Sequence, residues 1–129
     1  MNDLVKLFEN KLDDLKVSKE AKAYITNVFT KVNNVNDLSK KSLTLEYYDA
    51  KCTYSFQKFQ TLADWILFAE VFFPKCLSNA TEDYYCALGQ NSYYFCYRIV
   101  NKQWKLYEEL ADQLPELIKD SRVLILSNL

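Results

Sequence analysis

Histidine is absent from this chain of 129 residues, and glycine occurs once, at Gly89. The missing imidazole removes the commonest metal ligand and the commonest general base. It also leaves a cysteine nucleophile without its usual partner. A single glycine argues against an all-β fold, because tight hairpin turns draw on glycine repeatedly. Helices joined by Asn, Asp and Ser turns need few. Proline stands only at Pro74 and Pro115, and no linker, repeat or low-complexity tract is visible.

Charge of one sign is lacking too. Of the sixteen basic residues fourteen are Lys, acids and bases are interspersed, and the net charge is −1. No basic stripe marks a nucleic-acid binder, and no polybasic cluster marks a membrane anchor. No apolar run approaches the ~20 residues that span a bilayer. The stretch from Met1 to Leu15 alternates charge with apolar residues and has no signal-peptide core.

Cys52, Cys76, Cys86 and Cys96 are spaced by 24, 10 and 10 residues, which fits no metal-ligand pattern. The expectation is a cytoplasmic protein with free thiols packed as small hydrophobes, and with neither metal nor cofactor. The acceptor triplet Asn79-Ala80-Thr81 is idle in that compartment. Gly-rich phosphate loops and a nucleophile elbow are also missing.

What is present is a core. Half of the residues are hydrophobic and 16% are aromatic. A chain of this length buries roughly two-thirds of its unfolded surface and needs no disulfide or metal staple.

Leu4, Leu7, Phe8, Leu12 and Leu15 recur at helical spacing, with Asn2 as a candidate cap. Ser18 caps a second helix carrying Ala21, Tyr24, Ile25, Val28, Phe29 and Val32, ended by Asn33, Asn34 and Asn36. The stretch 43–59 reads two ways. Leu43, Leu45 and Tyr47 alternate as a hairpin strand does, while Leu45, Tyr48, Cys52, Phe56 and Phe59 fit a helix.

From Leu62 to Phe73 only Asp64 and Glu70 are polar. A helix apolar nearly all round is a buried, central one, and Pro74 ends it. A further helix runs from Glu82 to about Val100. Two more follow, over Gln103–Leu114 and Leu117–Leu126, separated at Pro115; Val123–Leu126 also reads as a strand without a partner. The fold expected is all-α, one domain over 1–129, a bundle of five to seven helices around 62–73.

Gly89, Ser92 and Cys96 fall at i, i+3 and i+7 and make a narrow seam of small side chains. The seam admits the 62–73 helix, a second copy of the protein, or a ligand. Asp64 and Glu70 lie six residues apart, roughly 240° around a helix, so they do not share one face. Each needs a partner if buried, supplied by Arg98 or by a tyrosine hydroxyl. Tyr47-Tyr48, Tyr84-Tyr85 and Tyr93-Tyr94 are adjacent pairs, and neighbours on a helix point ~100° apart. Each pair straddles a core boundary, as packing or as a partner-binding face.

The segment Leu62-Ala-Asp-Trp-Ile-Leu-Phe-Ala-Glu-Val-Phe-Phe-Pro, followed by Asp83-Tyr-Tyr-Cys-Ala-Leu-Gly-Gln-Asn-Ser-Tyr-Tyr, resembles a group of small all-helical bacterial proteins without a known activity. Tyr24–Val32 and Leu106-Tyr-Glu-Glu-Leu-Ala resemble an early and a closing helix of that group. Ala63 departs from the glycine usual before the Asp. The resemblance implies an all-helical fold and singles out Asp64, Gly89, Ser92 and Tyr93.

Three functions stay open at this level. One is a non-enzymatic interaction module that binds a protein partner or itself as a homodimer through a tyrosine-rich face, with Tyr84, Tyr85 and Tyr93 among its residues. Another is a small-molecule binder or enzyme with a pocket between 62–73 and 82–100, lined by Asp64, Glu70 or Arg98. A third is an antitoxin-like or immunity protein.

Overall fold

Three hydroxyl side chains open three of the helices. Ser42 Oγ accepts from the Leu45 N–H at 3.3 Å, Ser55 Oγ from Lys58 at 3.2 Å and Thr81 Oγ1 from Tyr84 at 3.1 Å. Each satisfies an amide that the first helical turn leaves without a partner. Ser18 does the same for Ala21 at 3.1 Å, and its own N–H and hydroxyl donate to the Glu109 carboxylate. The start of the second helix is thereby tied to the last.

The computed structural model describes residues 2–31, 38, 41–100 and 102–126. Among them lie α1 (Asn2–Lys11), α2 (Lys19–Lys31), α3 (Leu43–Thr53), α4 (Phe56–Phe72), α5 (Glu82–Ile99) and α6 (Trp104–Leu126), with a 3-10 turn over Pro74–Leu77. No strand occurs among the described residues, and the class is all-α. No described helix is long and apolar enough to cross a membrane. The cap read at the Asn2 side chain and the end of the second helix at positions 32–36 lie outside the described residues.

Helix α4 is the buried centre. Phe59, Leu62, Ala63, Ile66, Leu67, Ala69 and Val71 are buried along its length. Helix α5 packs extensively on α4 and on α6, while α1 and α2 pair with each other and close over α4 and α6. Phe8, Phe29 and Phe72 join α1, α2 and α4 edge to face, with ring centroids 5.1–5.9 Å apart. Helix α3 lies against α4 and α5.

Four local readings change. The 43–59 stretch is helical, but it breaks at Tyr54, whose left-handed backbone (φ 48°) returns its N–H to the α3 carbonyls and separates α3 from α4. The stripe read through Leu45, Tyr48 and Cys52 is exposed; α3 buries Leu43 and Ala50 instead. Of the four cysteines only Cys86 and Cys96 are buried, and Cys52 and Cys76 are exposed.

The fourth change is at Pro115, which interrupts nothing: α6 is one helix of 23 residues running through it, and Val123–Leu126 belongs to that helix. Proline at 115 removes the amide that would bond the Ala111 carbonyl. Gln90 Nε2, from α5, donates to that carbonyl at 2.9 Å. The acceptor orphaned by the proline is satisfied across the helix interface.

Candidate functional site

Tyr24 on α2, Asp64 on α4 and Tyr93 on α5 meet at one carboxylate oxygen. Asp64 Oδ1 accepts from the Tyr24 hydroxyl and from the Tyr93 hydroxyl, each at 2.7 Å. Tyr107 of α6 packs beside both rings, at 5.8 and 6.4 Å, and its hydroxyl accepts from Gln60 Nε2 at 2.8 Å. The sequence places these residues by helical register. Tyr24 lies one residue before buried Ile25, and Tyr93 lies one turn beyond Gly89 on the buried face of α5.

Burial raises the Asp64 carboxyl from 3.8 to about 6, and the two hydroxyl bonds pull the other way. Burial and the adjacent Asp64 push Tyr24 and Tyr93 well up, and Tyr107 to about 12. The three tyrosines therefore stay protonated, and Tyr24 and Tyr93 donate to Asp64. Burial, with Asp64 nearby, also raises the Cys96 thiol.

Glu70 is buried more fully than the half-buried Asp64, at 2% exposed. Arg122 Nη2 on α6 meets its carboxylate at 2.8 Å and Glu82 at 2.6 Å, while Arg122 Nε donates to the Glu70 carbonyl at 2.7 Å. Burial and the neighbouring Glu82 raise Glu70 from 4.5 to about 7 against the pull of Arg122. Cys86 is pushed up to about 11 by burial and then by the carboxylates of Glu70, Glu82 and Asp83. A thiol held that high is a poor nucleophile at neutral pH.

The small-residue seam of α5 meets α4 and α6. A Cβ added at Gly89 falls 2.8 Å from Leu114 Cδ2 and 3.2 Å from Ile66 Cγ2, so neighbouring side chains fill the seam. Ser92 turns its hydroxyl back to the Leu88 carbonyl at 2.8 Å. Asp64 and Tyr93 thus come together, Glu70 lies apart from them, and Gly89 and Ser92 serve close packing.

Arg98 reaches neither acid. It lies over the Phe95 ring at 5.9 Å, in a surface groove of about 340 Å³ that also holds Tyr47, Asn91 and Tyr94. Tyr47 and Tyr54 meet the same Phe95 ring edge-on at 6.2 and 6.3 Å. Each tyrosine pair divides as its 100° spacing requires. Tyr85 and Tyr93 are buried and Tyr47 half-buried, while Tyr84, Tyr94 and Tyr48 face out. Tyr84 hydrogen-bonds Thr44, and Tyr94 hydrogen-bonds Asp112.

Sequence reasoning missed Tyr24, Tyr107, Gln60 and Arg122. Helical spacing marks Tyr24 as an apolar stripe position and says nothing of its hydroxyl. A signal for Arg122 existed: it shares a helix face with Ile118 and Ile125, both buried, and a scarce arginine beside a core face suits a buried acid. Among the described residues no cluster of His, Cys, Asp and Glu is arranged to hold a metal ion. No protein-family model, curated protein or solved structure significantly matches the chain.

Proposed function

We propose that the chain is a non-enzymatic helical interaction module that pairs with a second copy of itself through the outer face of α3 and the adjoining groove of α5. The observation that carries this reading is that α3 is apolar on both sides. Leu43 and Ala50 face the core, and two residues later, roughly 200° around the axis, Leu45 and Cys52 face out. Leu45 is 68% exposed and Tyr48 67%. A helix apolar on opposite faces suits burial on both.

The charges of this face favour a second copy as occupant. Glu46 and Asp49 are matched within one copy, by Lys41 at 3.7 Å and Lys58 at 2.8 Å, and Lys51 and Arg98 lie over the Tyr47 and Phe95 rings, so a seam between two copies leaves no carboxylate of this face without a cation. A pocket between 62–73 and 82–100 has less support, because Ile66 and Leu114 occupy the seam at Gly89. Exposed, unpaired Cys52 and Cys76 agree with a reducing, cytoplasmic setting.

Sedimentation velocity from micromolar to near-millimolar protein tests the reading. The expected result is a dimer mass for the wild type and a monomer mass for Leu45→Glu/Tyr48→Lys, with unchanged helicity by circular dichroism. A wild-type monomer at every concentration overturns it.

A further inference from the structure

The second half of α6 faces the turn between α1 and α2 along a side that is only partly taken up by the core, with Leu117 buried, Leu124 half-buried and Val123 exposed. Positions 116, 117, 120, 123 and 124 recur at the three- and four-residue spacing of one helix face. Together with the turn between α1 and α2 they enclose a concavity of about 470 Å³. Its floor is apolar, with Leu15 and Leu117 buried beneath it and Val123 standing 59% exposed at its wall. Its rim carries Asp14, Glu116 and Asp120 against a single base, Lys16. None of those three carboxylates makes an ion pair with a described residue.

The dimension lies within the range of pockets that enclose a ligand or a few side chains. Carboxylates around an apolar floor repel nucleic acid and anionic lipid and attract cations. An isolated metal ion would make no use of the floor. A peptide segment uses both features, since lysine and arginine carry long apolar stems below their charge. The α6 face is acidic, whereas the α3 face carries Lys41, Lys51, Lys58 and Arg98 beside Glu46 and Asp49, so the two are distinct surfaces.

We propose that this groove docks a lysine- or arginine-bearing segment of a different protein. An apolar side chain of that segment rests on Val123 and the half-buried Val17 and Leu124, and its flanking cations meet Asp14, Glu116 and Asp120. The partner charges set encounter rate and specificity, and the floor sets residence.

Fluorescence anisotropy with a labelled peptide of alternating lysine and leucine tests this on the full chain. Saturable binding is expected, weakening with added salt, and absent for a peptide with glutamate in place of lysine. Glu116→Lys/Asp120→Lys is expected to weaken binding about tenfold or more, and Val123→Asp to weaken it while leaving the circular dichroism spectrum unchanged. The same reversal on α3, Glu46→Lys/Asp49→Lys, changes net charge equally and is expected to leave peptide binding in place.

Failure of the wild type to bind, or equal loss from both reversals, overturns the assignment. If Glu116→Lys/Asp120→Lys instead lowers the sedimenting mass, the groove is a seam between copies and the partner assignment fails. Loss of peptide binding with the dimer mass retained supports the groove independently of self-pairing through α3.

Discussion

Arg122 holds Glu70 at two points, Nε on its backbone carbonyl at 2.7 Å and Nη2 on its carboxylate at 2.8 Å. One guanidinium therefore fixes both the main chain of α4 and its buried charge. The same group also reaches Glu82 at the start of α5, so three helices converge on it. Removing the cation raises Glu70, already at about 7, further, so the acid takes up a proton and loses its two guanidinium bonds. Arg122→Met is expected to cost about 1–3 kcal/mol, the range for buried acceptors left without a donor, read by urea unfolding at neutral pH. Arg122→Lys keeps the charge and loses the two-point geometry, so it should fall between.

The protonation of this pair gives stability a definite pH dependence. Glu70 rises from 4.5 to about 7 on folding, and Asp64 from 3.8 to about 6. In both, the folded state binds the proton more tightly than the unfolded one. Their combined contribution is most favourable below both unfolded values, declines as pH climbs to about 7, and is level above. Glu82→Gln removes the repelling neighbour, lowers the Glu70 value and flattens the slope between 4.5 and 7. Unfolding free energies for the two proteins across that range check it; parallel curves would refute the coupling.

Tyr93, itself wholly buried, donates to Asp64 at 2.7 Å. Tyr93→Phe removes one of two donors to the same oxygen and is expected to cost about 1.5–3 kcal/mol, the range for hydrogen bonds to charged groups. The same variant raises the Asp64 value further, because a bond that favours the charged form is gone. Tyr24→Phe at a half-buried ring should cost less. A carboxyl titration followed by NMR, unchanged between wild type and Tyr93→Phe, would contradict the assignment.

Gly89 and Leu114 are close enough that a methyl group cannot be added without movement. Alanine is worth ~1 kcal/mol over glycine in a helix interior, which alone would stabilise α5. The added Cβ at 2.8 Å from Leu114 Cδ2 opposes that gain, and Leu114 is enclosed on all sides. Overpacking of this kind costs about 1–3 kcal/mol, so Gly89→Ala is expected to be net destabilising. In a Leu114→Ala background the 2.8 Å contact is gone and the 3.2 Å approach to Ile66 Cγ2 remains, so the same substitution should cost less than in the wild type, a difference measurable by thermal unfolding.

Much of this fold is legible in the residues, and the illegible parts have local causes. The run from Leu62 announces a buried helix because almost nothing in it tolerates water, and Pro74 marks its end. Each tyrosine pair reveals that one ring turns in and one turns out, because neighbours on a helix point ~100° apart, but not which: the inner ring is the first at Tyr47 and Tyr93 and the second at Tyr85. The orientation of α3 is not legible, since Leu43 and Ala50 compete with Leu45 and Tyr48 and only packing against α4 and α5 decides. The partners of the two buried acids are half legible. A tyrosine hydroxyl does satisfy Asp64, but Arg122 rather than Arg98 serves Glu70, a choice made by which helix crosses α4 there. The outcome at Pro115 depends on an amide from a different helix, a contact that no window around residue 115 contains.

That last contact is separable by experiment. Gln90→Leu removes the donor to the Ala111 carbonyl, and an interior acceptor left unmet costs about 1–3 kcal/mol. Pro115→Ala restores a backbone N–H at the position that would bond Ala111 within α6. In the Pro115→Ala background the carbonyl has its helical donor, so Gln90→Leu should cost much less. A double-mutant cycle by urea unfolding therefore gives a favourable coupling between the two substitutions. Equal losses from Gln90→Leu in both backgrounds would mean that Gln90 stabilises α6 by side-chain packing alone, and that the continuation of the helix through Pro115 has another cause.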